Sequence, residues 1–368
     1  MKINKFANNS LMQYKPLLAI LASMAICLSS CNGDKQTHEP PTIALSGGVD
    51  VRLADDYFTG CNRKVFSDTL MEMKIHSDSL FAFYRFGGDT LEYIDSFGSR
   101  GEGPNELNYG KIAKSPAGDY IIIDSPSGII TKVYNIPGDA IHDRSKWTHS
   151  NLDSLSIMTS AYTWLNDSCI LMSSAPFGKE KSIFSIIDYK NGTSTPTDFW
   201  PDDGYSGPAY PKLFVYCSNA TLRSNGADRY LYASIYGEYA FIFTLDGQKV
   251  NIVNHFLNEP VGYKASTDGL NAELHHNKPQ LILFSANSKH IYVFHYNRLE
   301  DGTLAEDIFD IRTGKDIDVY DWDGNLVKRY VLDRLGLSIE VNGDDTELYL
   351  QTADPDGEGF EWVRYDIK

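Results

Sequence analysis

Short apolar runs recur along the chain, each entered through a polar turn. Residues 80–84 read L-F-A-F-Y after S-D-S, 120–123 read Y-I-I-I after P-A-G-D, and 169–172 read C-I-L-M after N-D-S. Residues 230–232, 291–294 and 348–350 read Y-L-Y, I-Y-V-F and L-Y-L after N-G-A-D-R, N-S-K-H and N-G-D-D-T-E. The runs favour β-branched and aromatic residues, and the turns favour Gly, Asn, Asp and Ser. That is the chemistry of a strand following a tight turn. The six starts recur about every 40–60 residues, a spacing typical of repeated supersecondary units.

A second signature follows several copies. V-Y-N-I-P-G at 133–138, I-D-Y-K-N-G at 187–192, F-T-L-D-G at 243–247 and V-Y-D-W-D-G at 319–324 each read as a strand closing on a hairpin turn. Residues 249–256 and 326–332 then read as fourth strands. The runs are apolar on both faces, as expected of a sheet sandwiched between two neighbours. One such sheet cannot bury both faces alone, but a ring of them can. The pattern therefore predicts an all-β chain, a six-bladed β-propeller of four-stranded antiparallel blades. W-V-R-Y-D-I-K at 362–368 reads as a third strand with no fourth after it. An N-terminal strand from within residues 43–57 is expected to supply the missing one and close the ring. No useful helical periodicity appears; short helices are expected at most within 266–276 and 298–309.

The N-terminus carries a different message. Lys2, Lys5 and Lys15 precede an apolar run at 17–30, too short for the roughly 20 residues of a membrane span. Residues 1–30 read as a signal peptide, and L-S-S-C at 28–31 resembles the lipobox of bacterial lipoproteins, in which the cysteine is lipidated. Cys31 is then the membrane anchor. Residues 31–48 are polar, carry Pro40 and Pro41, and read as a flexible tether. Residues 49–368 form the propeller domain. These features place the protein on the outer membrane of a Gram-negative bacterium, periplasmic or surface-facing.

Charge narrows the partners. The chain has 33 basic and 49 acidic residues, a net −16, which disfavours nucleic acid. Beyond the anchor, Cys61, Cys169 and Cys217 match no zinc spacing. One disulfide and three buried thiols are both compatible with that count.

One phrase is distinctive: F-G-S-R-G-E-G-P-N-E-L at 97–107. It lacks the G-K-[ST] of a phosphate loop and leads into a strand rather than a helix, so it reads as a tight corner in which glycines permit unusual turns. With the lipobox, the tether and six repeats, it resembles the corner of the TolB-like six-bladed β-propeller lipoproteins. Y-D-W-D-G-N at 320–325 resembles that family's late-blade turn. The resemblance implies a fold and a location but no catalytic residue.

In a propeller, links from strand four to the next strand one share a face with links from strand two to three. The corner and residues 198–212, 258–279, 298–315 and 354–359 fall on that face, where recognition is often built. Its candidate ligand-contacting residues are Arg100, Glu102, Glu106, Trp200, Tyr205, Tyr210, His275 and His276. Aromatic rings beside acids suit a sugar, yet a loop packing its own rings onto a blade is the preferred reading. Asp354, Asp356 and Glu358 alternate like calcium ligands, but the full calcium loop needs more donors, so a solvated acidic turn is preferred. His275, His276, His290 and His295 lack zinc-protease spacing, and G-Y-S-G-P at 204–208 breaks the serine-hydrolase elbow. The functional expectation is a monomeric, non-catalytic binding module for a protein or glycan, without a cofactor. The alternative is a cell-envelope lyase or lactone hydrolase with a metal in the central channel.

Overall fold

Strand follows strand in antiparallel meanders through nearly the whole chain in the computed structural model. The structure describes residues 39–53, 63–66, 69–73, 78–101, 103, 106–107, 110–125, 128–158, 160–174, 182–218, 220–234, 236, 239–258, 262–275, 282–296, 313–353 and 360–368. Residues 41–368 make one compact unit.

Two strands, β1 (Thr42–Leu45) and β2 (Val49–Leu53), come first. The first meander is β3 (Arg63–Phe66), β4 (Thr69–Met73), β5 (Ser79–Gly87) and β6 (Thr90–Ser99). The second is β7 (Gly110–Lys114), β8 (Tyr120–Asp124), β9 (Lys132–Ile136) and β10 (Thr148–Asn151). The third is β11 (Tyr162–Asn166), β12 (Cys169–Met172), β13 (Ser185–Asp188) and β14 (Thr193–Pro196). A helix, α1 (Ala209–Cys217), leads to the fourth: β15 (Thr221–Ser224), β16 (Tyr230–Ser234), β17 (Tyr239–Asp246) and β18 (Lys249–Asn258). A small hairpin, β19 (Tyr263–Ala265) with β20 (Ala272–Leu274), precedes the fifth. That meander is β21 (Ile282–Ala286), β22 (His290–Tyr296), β23 (Gly314–Asp321) and β24 (Leu326–Gly336), with β1 added parallel to β24.

The sixth meander has three strands of its own: β25 (Ser338–Val341), β26 (Glu347–Ala353) and β27 (Phe360–Asp366). Its fourth strand is β2, antiparallel to β27 with Val49 opposite Arg364 and Val51 opposite Trp362. The same strand runs on to pair Arg52 and Leu53 with Thr90 and Leu91 of β6. The N-terminal segment thus joins the last meander to the first. The fold is all-β, built of four-stranded antiparallel sheets in the manner of a propeller.

The turns explain the repeat seen in the sequence. Asn225 Oδ1 accepts from the backbone N–H groups of Ala227 (2.8 Å) and Arg229 (3.1 Å). Asn287 Oδ1 does the same for Lys289 and His290 (both 2.9 Å), and Asn342 Oδ1 for Thr346 (2.9 Å) and Glu347 (3.1 Å). Each asparagine satisfies donors that the turn would otherwise leave unpaired before the second strand begins. Between strands three and four, Asp188 and Asp321 serve alike. Gly192 and Gly324 there sit at φ +64° and +83°, where a side chain would be strained.

Burial follows the alternation of each strand. On β8, Tyr120 and Ile122 pack with Phe81, Phe83 and Phe97 of the first meander. Ile121 and Ile123 face the other way, onto Tyr162, Ile170 and Met172 of the third. β16 splits likewise, Tyr230 and Tyr232 toward the third meander and Leu231 and Ala233 toward the fifth. On β22, Ile291 and Val293 face the fourth meander and Tyr292 and Phe294 the sixth. A last cluster joins Val51, Tyr349 and Trp362 to Leu70, Ala82, Tyr84 and Leu91 of the first meander. β8, β16 and β22 are therefore each covered on both faces by the meanders next to theirs.

Three expectations need correction. The tether is shorter than residues 31–48, because Thr42–Leu45 adds as a strand and buries Leu45 against Tyr330 and Leu332. Of the stretch 266–276, residues 266–275 form a turn and half of the β19–β20 hairpin, not a helix: Asp268 caps the turn through the N–H groups of Leu270 and Asn271. The helix lies instead at Ala209–Cys217, where Pro211, Val215, Tyr216 and Cys217 are buried. The stretch 298–309 lies outside the described residues.

Candidate functional site

First strands of five meanders border one cavity, which is the candidate site. A cavity of about 170 Å³ is lined by Ala113 and Lys114 of β7, Tyr162 and Thr163 of β11, and Leu222, Arg223 and Ser224 of β15. Ala286 of β21 and Glu340 and Val341 of β25 complete it. Five meanders thus contribute to one cavity. A wider vestibule of about 520 Å³ shares Lys114, Thr163 and Ser224 and adds Trp164 and the turns at 115–118, 225–226 and 287–288. Those turns join first to second strands, so the vestibule opens at the far ends of the first strands from the corner at 97–107.

Arg223 is the central charge. It is half-buried, and among the described residues its one side-chain hydrogen bond runs from Nη1 to the Leu222 carbonyl (3.2 Å). Burial lowers its pKa from the ordinary guanidinium value, while the Glu340 carboxylate opposes that shift. Glu340 is held in place by Ser285, whose Oγ donates to Oε2 (3.0 Å). Ser285 Oγ in turn accepts from the backbone N–H of Val341 (3.3 Å). Tyr162 is locked by its hydroxyl, which donates to the carbonyls of Lys111 and Ile121. Burial pushes the Tyr162 pKa well above its usual value, so it stays a neutral donor. Lys111, also on β7, has its ammonium pKa lowered by burial.

The residues expected to contact a ligand are mostly engaged elsewhere. At the corner, Glu106 Oε2 accepts from the Gly103 N–H (2.9 Å), and Leu107 is fully buried beside Phe81 and Phe97. A Cβ on Gly101 would stand 2.0 Å from the Glu106 carboxylate, which explains the glycine. Arg100 bridges to Leu107 through the backbone. Glu102 lies outside the described residues.

In the 198–212 loop, Trp200 takes the Lys212 ammonium over its ring (4.9 Å to the centroid). Lys212 pairs with Asp203 at 2.8 Å, their side chains 4% and 1% exposed. Asp203 also accepts from the Tyr263 hydroxyl (2.8 Å) and the Tyr205 N–H (3.0 Å). Burial opposes its ionisation, but these donors win and hold its pKa below the usual carboxylate value. Tyr205 stacks on Tyr263 at 4.5 Å. Tyr210 opens α1. The rings therefore serve the loop itself, which pins α1 and β19 onto the fourth meander. His275 ends the β19–β20 hairpin and is exposed, and His276 lies outside the described residues.

Asp354, Asp356, Glu358, Cys31 and Cys61 also lie outside the described residues. Cys169 and Cys217 are free thiols, and burial pushes the Cys217 thiol up to about 12. His290 pairs with Asp345 (2.9 Å) and His295 with Asp318 (3.2 Å), both as links within or between sheets. Among the described residues no group of three or more His, Cys, Asp or Glu is placed to hold a metal ion.

The cavity residues Lys114, Tyr162, Arg223 and Glu340 lie far apart in sequence and fall in no motif. A signal was present: G-K-I-A-K and T-L-R-S put basic residues on innermost strands in a chain of net charge −16.

No family model matches the chain, and no curated protein matches it. Solved structures do. Regucalcin from Agrobacterium tumefaciens, a calcium-binding protein, is 12% identical over 90% of this chain and 98% of its own, with a TM-score of 0.41. A luciferin-regenerating enzyme is 10% identical over 87% and 95%, at 0.42. U3-55K is 7% identical over 81% and 92%, at 0.42. Likenesses of this size bear on neither the chemistry nor the site.

Proposed function

We propose that residues 41–368 are a six-bladed β-propeller of the TolB-like kind. In this reading β2 closes the ring and the protein is held on a Gram-negative outer membrane through lipidated Cys31. It acts as a binding module whose ligand enters the axial cavity. The lipobox-like L-S-S-C at 28–31 supports the anchor. The cluster joining Val51 and Trp362 to Leu70 and Leu91 supports closure, since it gives the sixth meander the first as its neighbour.

One observation carries the binding role: five first strands line a single cavity that opens into a vestibule. Rigid rings present such spaces ready-formed, so little ordering cost opposes a ligand. The described lining holds one carboxylate, Glu340, and no histidine. That donor set suits recognition better than the metal centre of a lyase or lactone hydrolase.

The test uses full-length protein extracted in mild detergent from its own envelope. Native mass spectrometry should show a bound mass that Ser224→Trp, which fills the cavity, removes. A ligand-free native protein whose melting temperature no compound of a broad metabolite library raises overturns the binding role. Cys31→Ser should release the protein from the membrane fraction; retention there overturns the anchor.

A further inference from the structure

The first strands carry a charge balance opposite to that of the whole chain. Their sequences are R-K-V-F, G-K-I-A-K, Y-T-W-L-N, T-L-R-S, I-L-F-S-A and S-I-E-V. The basic residues among them are Arg63, Lys64, Lys111, Lys114 and Arg223, and the one acid is Glu340. The chain overall has 33 basic and 49 acidic residues. Random placement would put more acids than bases on these strands. Of these charged residues, Lys114, Arg223 and Glu340 line the cavity.

We propose that the axial cavity binds a small organic anion, a carboxylate or phosphate monoester, whose charged group meets Arg223 and Lys114 and whose uncharged remainder lies in the vestibule beside Trp164. This rests on the ligand-binding reading above and names its chemical class. Arg223 is placed for it. A guanidinium offers five donors in a planar fork that matches carboxylate and phosphate oxygens, and here one hydrogen bond to the Leu222 carbonyl is made among the described residues. The cavity lining also carries Lys114, whose ammonium lies over the Tyr120 ring (5.3 Å to the centroid), and one carboxylate, Glu340. Glu340, fixed by Ser285, offsets part of the cost of keeping a guanidinium out of bulk water. An incoming anion takes up the rest.

Size decides how much of the ligand fits. A cavity of about 150 Å³ accommodates a benzene ring. The 170 Å³ here therefore takes the charged group and a few attached atoms. A larger body must extend into the 520 Å³ vestibule, where the half-buried Trp164 ring, Pro116 and the hydroxyls of Ser115, Thr163 and Ser224 meet it. A sugar acid or sugar phosphate has that division into a charged end and a hydroxylated body.

Isothermal titration of the mature protein with D-glucuronate, glucose 6-phosphate, succinate, inorganic phosphate and neutral glucose tests the idea. Binding is expected for at least one anion and not for glucose. The carboxylate and phosphate arms say which group is preferred. Arg223→Gln should weaken that binding at least tenfold and Lys114→Met severalfold. Glu340→Gln, which removes the competing charge, should tighten it severalfold; that gain of affinity cannot come from a misfolded variant. If glucose binds as well as the anions, or Arg223→Gln binds them unchanged, the anion assignment is overturned and the binding module stands. If no probe binds and the native protein carries no ligand, both are overturned.

Discussion

Phe86 and Tyr349 stack with ring centroids 3.6 Å apart and planes 22° apart, although one lies in the first meander and the other in the last. Beside them, Trp362 and Leu70 share one buried cluster. This seam is where two ends of the chain must find each other, and it depends on aromatic area rather than on covalent linkage. Tyr349→Ala is expected to cost about 3–5 kcal/mol, the range for truncating a buried aromatic. Urea unfolding of the mature protein measures it. Removing residues 1–38 should leave a soluble monomer, whereas removing 1–53 bares the edge of β27 and should yield aggregates on size-exclusion chromatography.

The Lys212–Asp203 pair is nearly sealed from water. Lys212→Met leaves a buried carboxylate without its cation and should destabilise by about 3–5 kcal/mol. Adding Asp203→Asn to that variant removes the stranded charge and should recover part of the loss. A double-mutant cycle by chemical denaturation reads the coupling; additive single effects would show that the pair does not hold the loop.

His255 gives the stability a pH dependence of known sign. It is half-buried between Tyr239 and Phe241 (5.5 and 5.7 Å), its Nδ1 has no partner among the described residues, and burial lowers its pKa. The unfolded chain therefore takes up a proton more readily than the folded one. Stability is full above the ordinary histidine value near pH 6.5 and is lost as the pH falls below it toward the folded pKa. His255→Phe should flatten the fall in melting temperature below about pH 6.5, which scanning calorimetry can follow.

At the corner, Glu106→Ala removes the acceptor from the Gly103 N–H and should cost about 1–2 kcal/mol. Gly101→Ala should be worse, because its Cβ meets the Glu106 carboxylate and its φ of +151° strains a side chain. Combining the two should cost less than their sum, as the clash disappears with the carboxylate. Thermal melts of the three variants decide this.

The strands were legible because their chemistry is local. Asn225, Asn287 and Asn342 announce second strands, Gly192 and Gly324 announce the fourth, and a Y-I-I-I run predicts a strand buried on both faces. The strand beside Trp362 was also expected, from within residues 43–57. α1 was not legible: A-Y-P-K-L-F-V-Y-C carries Pro211 and β-prone residues, and tertiary burial of Val215 and Tyr216 overrides that preference. Thr42–Leu45 was read as tether because four residues beside prolines look like linker, and only pairing with Arg329–Leu332 makes them a strand. The axial site was hidden for a different reason. Lys114, Arg223 and Glu340 are far apart in sequence, and no motif links them; only the stacking of meanders brings them to one cavity.

β2 also sets an order of events during biosynthesis. Val49–Leu53 is among the first segments to leave the ribosome, yet its main partner, β27, is among the last. Until β27 is made, the segment can pair only with β6, through Arg52 and Leu53. Intermediate meanders can assemble as they emerge, but the β2–β27 pairing forms in a late step spanning nearly the whole polypeptide. Translation arrest or truncation near the C-terminus therefore exposes two adhesive edges at once, and a nascent chain of this design needs protection until its final residues appear.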